Sequence, residues 1–115
     1  MKNGEHKLQC ACIKWFKYQY PRYANLIFAI PNGGNRDVRT GAMLKAEGVL
    51  SGVPDLFLAC PNKLYHGLFI EMKFGENKLT KPQLKQITLF AEQKYECAVC
   101  YSFEEFEEVV NLYFK

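Results

Sequence analysis

The runs Asp55-Leu56-Phe57-Leu58-Ala59-Cys60 and Tyr65-His66-Gly67-Leu68-Phe69-Ile70-Glu71-Met72-Lys73-Phe74, separated by Pro61-Asn62-Lys63-Leu64, decide the fold. Both are rich in aromatic and branched apolar residues, the composition of strands, and the segment between them is turn-forming, so the stretch predicts a β-hairpin. The side-chain period of two places Phe69, Glu71 and Lys73 on one face of the second strand, and Leu68, Ile70, Met72 and Phe74 on the other. A strand this apolar belongs inside a sheet, where a charged side chain is costly unless it is paired or bound to metal. Antiparallel partners keep a constant index sum, and pairing Asp55 with Glu71 centres the turn on Lys63, within the expected loop. Directly opposed residues have Cβ atoms ~4.5–5.5 Å apart. Like charges that close repel and raise a carboxyl pKa, unless a shared divalent cation holds both.

Working outward, Gly4 to Tyr20 carries apolar residues at Leu8, Ala11, Cys12, Trp15, Phe16 and Tyr20, the spacing of an amphipathic helix, with Pro21 beyond it as a stop. Leu26 to Ile30 reads as a short buried strand closed by the turn-rich Pro31-Asn32-Gly33-Gly34-Asn35. Asp37 is placed to cap a second helix ending near Glu47, with Gly48 as terminator. Thr80 before Lys81 and Pro82 starts a helix to about Lys94. Tyr95 to Tyr101 is a further strand, and Ser102 with Glu105 forms a capping box for the last helix. The expected fold is α/β, a small mixed β-sheet flanked by helices, in a single domain over residues 1–115.

Two oxygen-donor side chains on a hairpin suit Mg²⁺ or Mn²⁺, which keep water and substrate phosphate in their remaining positions. A cation there polarises a phosphoryl oxygen and activates water, while Lys73 stabilises developing negative charge or positions that water. Taken singly, Asp55 is a turn residue after Gly52-Val53-Pro54, and Glu71 with Lys73 is a surface ion pair worth little. The conjunction of spacing, hairpin parity and apolar flanks points instead to a phosphodiesterase.

Gly52-Val53-Pro54-Asp55, Phe69-Ile70-Glu71-Met72-Lys73 and Gln83, with Ile30-Pro31-Asn32-Gly33-Gly34-Asn35-Arg36 and the first helix, resemble the VRR-NUC branch of the PD-(D/E)xK, restriction-endonuclease-like nucleases. The resemblance covers nearly all of the chain. It implies that Asp55 and Glu71 are metal ligands, that the backbone carbonyl of Met72 completes the protein's share, and that Lys73 is the catalytic lysine. Glu5 matches an acidic residue that such nucleases place near the metal through a water, although an acid at a helix start is also favoured by the macrodipole. Gln83 matches the family's helix glutamine beside the site, or else is an ordinary solvent-facing residue. Gln86 and Ile87 stand where an aromatic usually follows that glutamine, a departure from the family's pattern in this helix. Stand-alone members, common in phages and bacteria, resemble this chain in size. They imply a homodimer acting on branched DNA such as four-way junctions, where two sites related by a two-fold axis nick symmetric strands.

The Pro31–Arg36 loop, with Arg36 and Arg39, suits phosphate contact, and Lys78, Lys81 and Lys85 extend a basic rim beside the metal; the bland alternatives are a turn and scattered solubility lysines. Gly33 and Gly34 form no phosphate-loop motif, so no nucleotide cofactor is expected. The formal charge of +3 suits an anionic partner without diagnosing one.

The five cysteines are an odd number and the opening residues carry no signal-like segment, so a reducing cytoplasm is expected, and the resemblance implies that it is the cytoplasm of a bacterium or a phage-infected host. No apolar run approaches the ~20 residues of a membrane span. Cys97-Ala98-Val99-Cys100 has the spacing of half a zinc site or a redox pair, but sits in an apolar strand where buried packing is the simpler reading. His6 and His66 have no nucleophile partner, and His66 marks the hairpin's edge. Two rivals to the nuclease are a non-catalytic nucleic-acid-binding module with a nuclease-like fold and a thiol-redox protein.

Overall fold

In the computed structural model, which describes residues 3–31 and 38–115, the elements follow the expected order. They are α1 (Asn3–Gln19), a 3₁₀ helix (Pro21–Leu26), β1 (Ile27–Ala29), α2 (Val38–Ala46), β2 (Leu56–Leu58), β3 (Leu68–Met72), α3 (Lys81–Glu92), β4 (Glu96–Cys100) and α4 (Phe103–Tyr113). The expected loop over 32–36, including Arg36, and the expected cap Asp37 lie outside the described residues.

The four strands form one sheet in the order β1-β2-β3-β4. β1 and β2 are antiparallel, as are β2 and β3, whereas β4 joins β3 in parallel, so the sheet is mixed. The parallel pair requires a crossover, which α3 supplies. The hairpin register Leu56↔Ile70, Phe57↔Phe69 and Leu58↔Leu68 has the index sum read from the sequence, and β3 is an interior strand buried at every residue. Asn62 shapes the loop. Its side-chain oxygen accepts the N–H groups of Leu64 (3.0 Å) and Tyr65 (2.8 Å), and its amide donates to the Tyr113 carbonyl (3.0 Å), tying the loop to α4.

One sheet face carries Leu56, Leu58, Leu68, Ile70, Met72 and Cys100 into a core closed by Cys12 and Phe16 of α1 and by Phe106, Val110 and Tyr113 of α4. Phe57 and Phe69 are on the other face, where Phe90 of α3 stacks on Phe69 at 4.2 Å.

Three local expectations are corrected. Leu26 belongs to the 3₁₀ helix rather than the strand, because Pro21 opens a short turn in place of simply ending α1. β2 and β3 are shorter than the apolar runs, although Ile30 N–H to Asp55 O and Ala59 N–H to Leu26 O, both 2.8 Å, prolong the pairing of β1 with β2 at both ends. The last helix has half of the expected capping box. Ser102 Oγ accepts the Glu105 N–H (3.1 Å), but the Glu105 carboxylate takes the N–H of Tyr101 (2.8 Å), one residue before the cap. Gly48 does close α2, at φ +104°. No helix among the described residues is long and apolar enough to cross a membrane.

Candidate functional site

Asp55 stands one residue before β2, reached through Gly52-Val53-Pro54. Gly52 has φ +89°, and a Cβ there would stand 2.3 Å from the Pro82 carbonyl oxygen, so the motif's glycine lets this loop pack on the first turn of α3. Asp55 Oδ2 accepts the Met72 N–H at 2.8 Å, fixing the carboxylate against the end of β3. Met72 itself sends its side chain into the core.

Glu71 and Lys73 are both buried, at 2% and 7% exposure. Their charged atoms are 3.7 Å apart, an ion pair too long for a hydrogen bond. Gln83 bridges them: its Nε2 donates to Glu71 Oε2 at 3.1 Å, and its Oε1 accepts from Lys73 Nζ at 2.9 Å. The same Oε1 accepts the Thr80 N–H (2.9 Å) while Thr80 Oγ1 accepts the Gln83 N–H (3.3 Å), a reciprocal capping box. The glutamine that caps α3 therefore also holds the lysine and the carboxylate in place.

Burial, followed by the charge of Asp55 and more weakly that of Glu5, pushes the Glu71 carboxyl up to about 8 against the lowering effect of Lys73. Burial also raises Asp55, opposed by the Met72 N–H bond, by a hydrogen bond with the Glu71 carboxyl and by Lys73. Glu71 Oε1 is buried, and no N–H group of the described residues reaches it. Without metal, the proton that Glu71 retains is shared with Asp55, and a hard cation would take the place of that proton between the two carboxylates. Among the described residues no three His, Cys, Asp or Glu side chains converge as a ready-made cation cage. The two carboxylates thus stand as a pair, the donor set of a site that keeps water and substrate as ligands.

Glu5 lies on the first turn of α1. Gly4, beside it, packs on the Phe74 ring, where an added Cβ would stand 2.7 Å away, and Asn77 Nδ2 donates to Glu5 Oε2 at 3.5 Å. Glu5 is thus at the rim, close enough for its charge to act on Glu71.

The lysine rim does not assemble as expected. Lys81, Lys85, Leu84, Thr88 and Leu89 line one outward hollow on α3. At 100° per residue, Lys81 and Lys85 each lie about 160° around the helix from Gln83, away from the carboxylates. Lys78 is exposed in the loop before α3, and Arg39 is exposed near the start of α2. On α3, the buried Gln86 takes the place expected of an aromatic, while Phe90 supplies one four residues later, stacked on Phe69.

The redox reading fails on geometry. Cys97 pairs with Phe69 and Cys100 with Met72, so the two thiols point to opposite faces of the sheet and cannot close a disulfide. Burial raises their pKa values to about 11 and about 12, against thiolate chemistry. His66 is exposed at the hairpin's edge, its ring set edgewise on Tyr95.

Comparison with known proteins places these features in context. The family model of the VRR-NUC domain matches residues 3–104. A solved structure described as a VRR_NUC domain protein superposes with a TM-score of 0.84 at 26% identity, covering 98% of this chain and 89% of its own. No curated protein matches the chain.

Proposed function

The chain belongs to the VRR-NUC domain family, of nuclease type, and on that premise we propose that it is a Mg²⁺- or Mn²⁺-dependent endonuclease hydrolysing DNA phosphodiester bonds. The observation that carries this reading is the buried carboxyl pair, Glu71 with an Oε1 that no N–H group of the described residues reaches and Asp55 beside it. Asp55, Glu71 and the backbone carbonyl of Met72 would hold the cation, with Glu5 at the rim. Bound there, it would supply Lewis-acid polarisation of the phosphoryl oxygen and lower the pKa of the attacking water. The residues of the chain do the rest. Lys73 Nζ spends one N–H on Gln83 Oε1 and retains donors for the charge developing on phosphate. Gln83 keeps Lys73 and Glu71 from swinging apart, so little reorganisation is left for the reaction itself.

The finer reading is a homodimer in the cytoplasm acting on branched DNA such as four-way junctions. Arg39 and Lys78 would contact the backbone near the site, and Lys81 and Lys85 would do so from the outer face of α3. Half-exposed Met43, Leu50, Leu84 and Leu89 offer apolar surface for a second copy.

The test is cleavage of labelled junction, flap, duplex and single strand in Mg²⁺, Mn²⁺ or chelator. Wild type is expected to cut in metal, and folded Glu71→Ala to lose at least about 100-fold in rate, the scale of a lost charge-stabilising group. Folded Glu71→Ala cutting as well as wild type sinks the proposal, and metal-dependent binding without cutting favours the non-catalytic module.

A further inference from the structure

The face of the sheet that carries the carboxylates also carries a row of phenylalanines that the catalytic reading does not use. Phe28 of β1, Phe57 of β2 and Phe69 of β3 are direct partners across three strands. Ring centroids are 5.9 Å apart for Phe28 and Phe57, with planes at 74°, and 4.5 Å apart for Phe57 and Phe69. Phe90 of α3 covers the inner end of the row by stacking on Phe69. Phe28, at the outer end on the edge strand, is 49% exposed.

A single exposed phenylalanine is unremarkable by itself. This one lies beside the candidate site. Ile30, two residues on, donates its N–H to the Asp55 carbonyl at 2.8 Å, so Phe28 and Asp55 are diagonal neighbours on adjacent strands and share a face. Diagonal neighbours are ~7–8 Å apart, within the reach of the nucleotides that flank a phosphate held at Asp55 and Glu71. A DNA strand with a phosphate at Asp55 and Glu71 would therefore bring a nucleobase one or two steps away to the Phe28 ring. Aromatic rings stack any base through its π-face, but only a base already out of the duplex stack is free to use it.

We propose that Phe28 stacks an unpaired nucleobase within about two nucleotides of the scissile phosphate, so that DNA with single-stranded character at the cut is the preferred substrate. This rests on the nuclease reading of the site. Phe28 acts as a specificity residue by holding the strand, and Asp55, Glu71 and Lys73 act on the phosphate.

The test separates binding from cutting. In chelator, affinities of wild type, Phe28→Ala, Phe28→Leu and Phe28→Trp are compared for a continuous duplex and for the same duplex with one unpaired nucleotide at the cut. In parallel, 5-iodouracil at that nucleotide is photo-crosslinked, the attachment is mapped, and each variant's oligomeric state is read by sedimentation. We expect Phe28→Ala to weaken binding to the unpaired substrate by about 5- to 150-fold and to leave the duplex within two-fold, the range that loss of one stacked base produces. Phe28→Trp should retain the preference, Phe28→Leu should lose it, and the cross-link should map to Phe28. Equal loss on both substrates, full retention by Phe28→Leu, or dissociation of a wild-type dimer by Phe28→Ala overturns the proposal, the last by showing a second copy on this face. A wild type that discriminates in chelator yet cuts nothing in Mg²⁺ or Mn²⁺ fails the nuclease reading and supports stacking. A wild type that cuts, with discrimination surviving Phe28→Ala, fails stacking alone.

Discussion

Glu71 is a carboxyl with an ordinary pKa near 4.5, raised to about 8 by burial and by Asp55. Between those values the metal-free folded protein keeps a proton at Glu71 that the unfolded chain has released. Binding more protons when folded makes stability fall with rising pH, so the metal-free protein loses stability from about pH 4.5 to about pH 8. Asp55, also raised by burial, acts in the same direction. We expect the Tm of chelated wild type to decline across pH 5–8 and the neutral isostere Glu71→Gln to flatten that decline. Added Mg²⁺ or Mn²⁺ at pH 8 should raise the wild-type Tm by mass action and leave Glu71→Gln nearly unmoved. A wild type whose metal-free Tm rises over this range would mean that Glu71 is ionised throughout, which removes the reason for a cation. The charge of Glu71 was legible because strand parity and apolar neighbours placed it in an interior strand. That no N–H group of the described residues reaches its Oε1 was not, since that depends on where Gln83 points.

At the scale of elements, the hairpin register was readable because a period of two and a short loop leave few alternatives. The link between the Asp55 loop and α3 was not readable, because the contact of Gly52 with Pro82 joins residues thirty apart. Gly52→Ala is expected to destabilise the protein by about 1–3 kcal/mol, from left-handed strain plus a clash with backbone that cannot rotate aside. It should also lower activity by shifting Asp55 relative to Met72. Chemical denaturation with a cleavage assay on the folded fraction checks both, and an unchanged midpoint would mean that the loop repacks freely. Gln83 lies between these cases. Thr80-Lys81-Pro82-Gln83 has the spacing of a capping box, so its tie to the helix start was available in the sequence, whereas its bridge from Lys73 to Glu71 needed the packing of α3 on β3. Thr80→Ala should cost about 1 kcal/mol through the lost cap. The backbone N–H at position 80 still donates to Gln83 Oε1 in this variant, so the cleavage rate of the folded protein should be little changed; a rate that falls with the stability would mean that the first turn of α3 shifts and carries Gln83 off Lys73 and Glu71.

Across the whole molecule, the sheet divides labour between its faces, with α1 and α4 sealing the core on one side while α3 and the carboxylates share the other. The helical repeat alone would have separated Lys81 and Lys85 from Gln83, since residues two apart cannot share a helix face. These lysines sit with half-exposed Leu84 and Leu89 on the outer surface of α3, so any contact with DNA from there is to backbone beyond the scissile phosphate. Lysines in that position would add affinity through counterion release and leave the reacting atoms untouched. Lys81→Ala with Lys85→Ala is therefore expected to weaken DNA binding alike for all sequences and to lower the slope of log K against log salt by up to about 2. Single-turnover cleavage at saturating DNA should remain within about two-fold of wild type. Binding across a salt series, followed by single-turnover rates on the same preparations, makes the distinction. A fall in the saturated rate as large as the fall in affinity would mean that the outer face of α3 moves onto the phosphate in the complex. An unchanged salt slope would remove this face from the DNA path and leave it free for another copy of the chain.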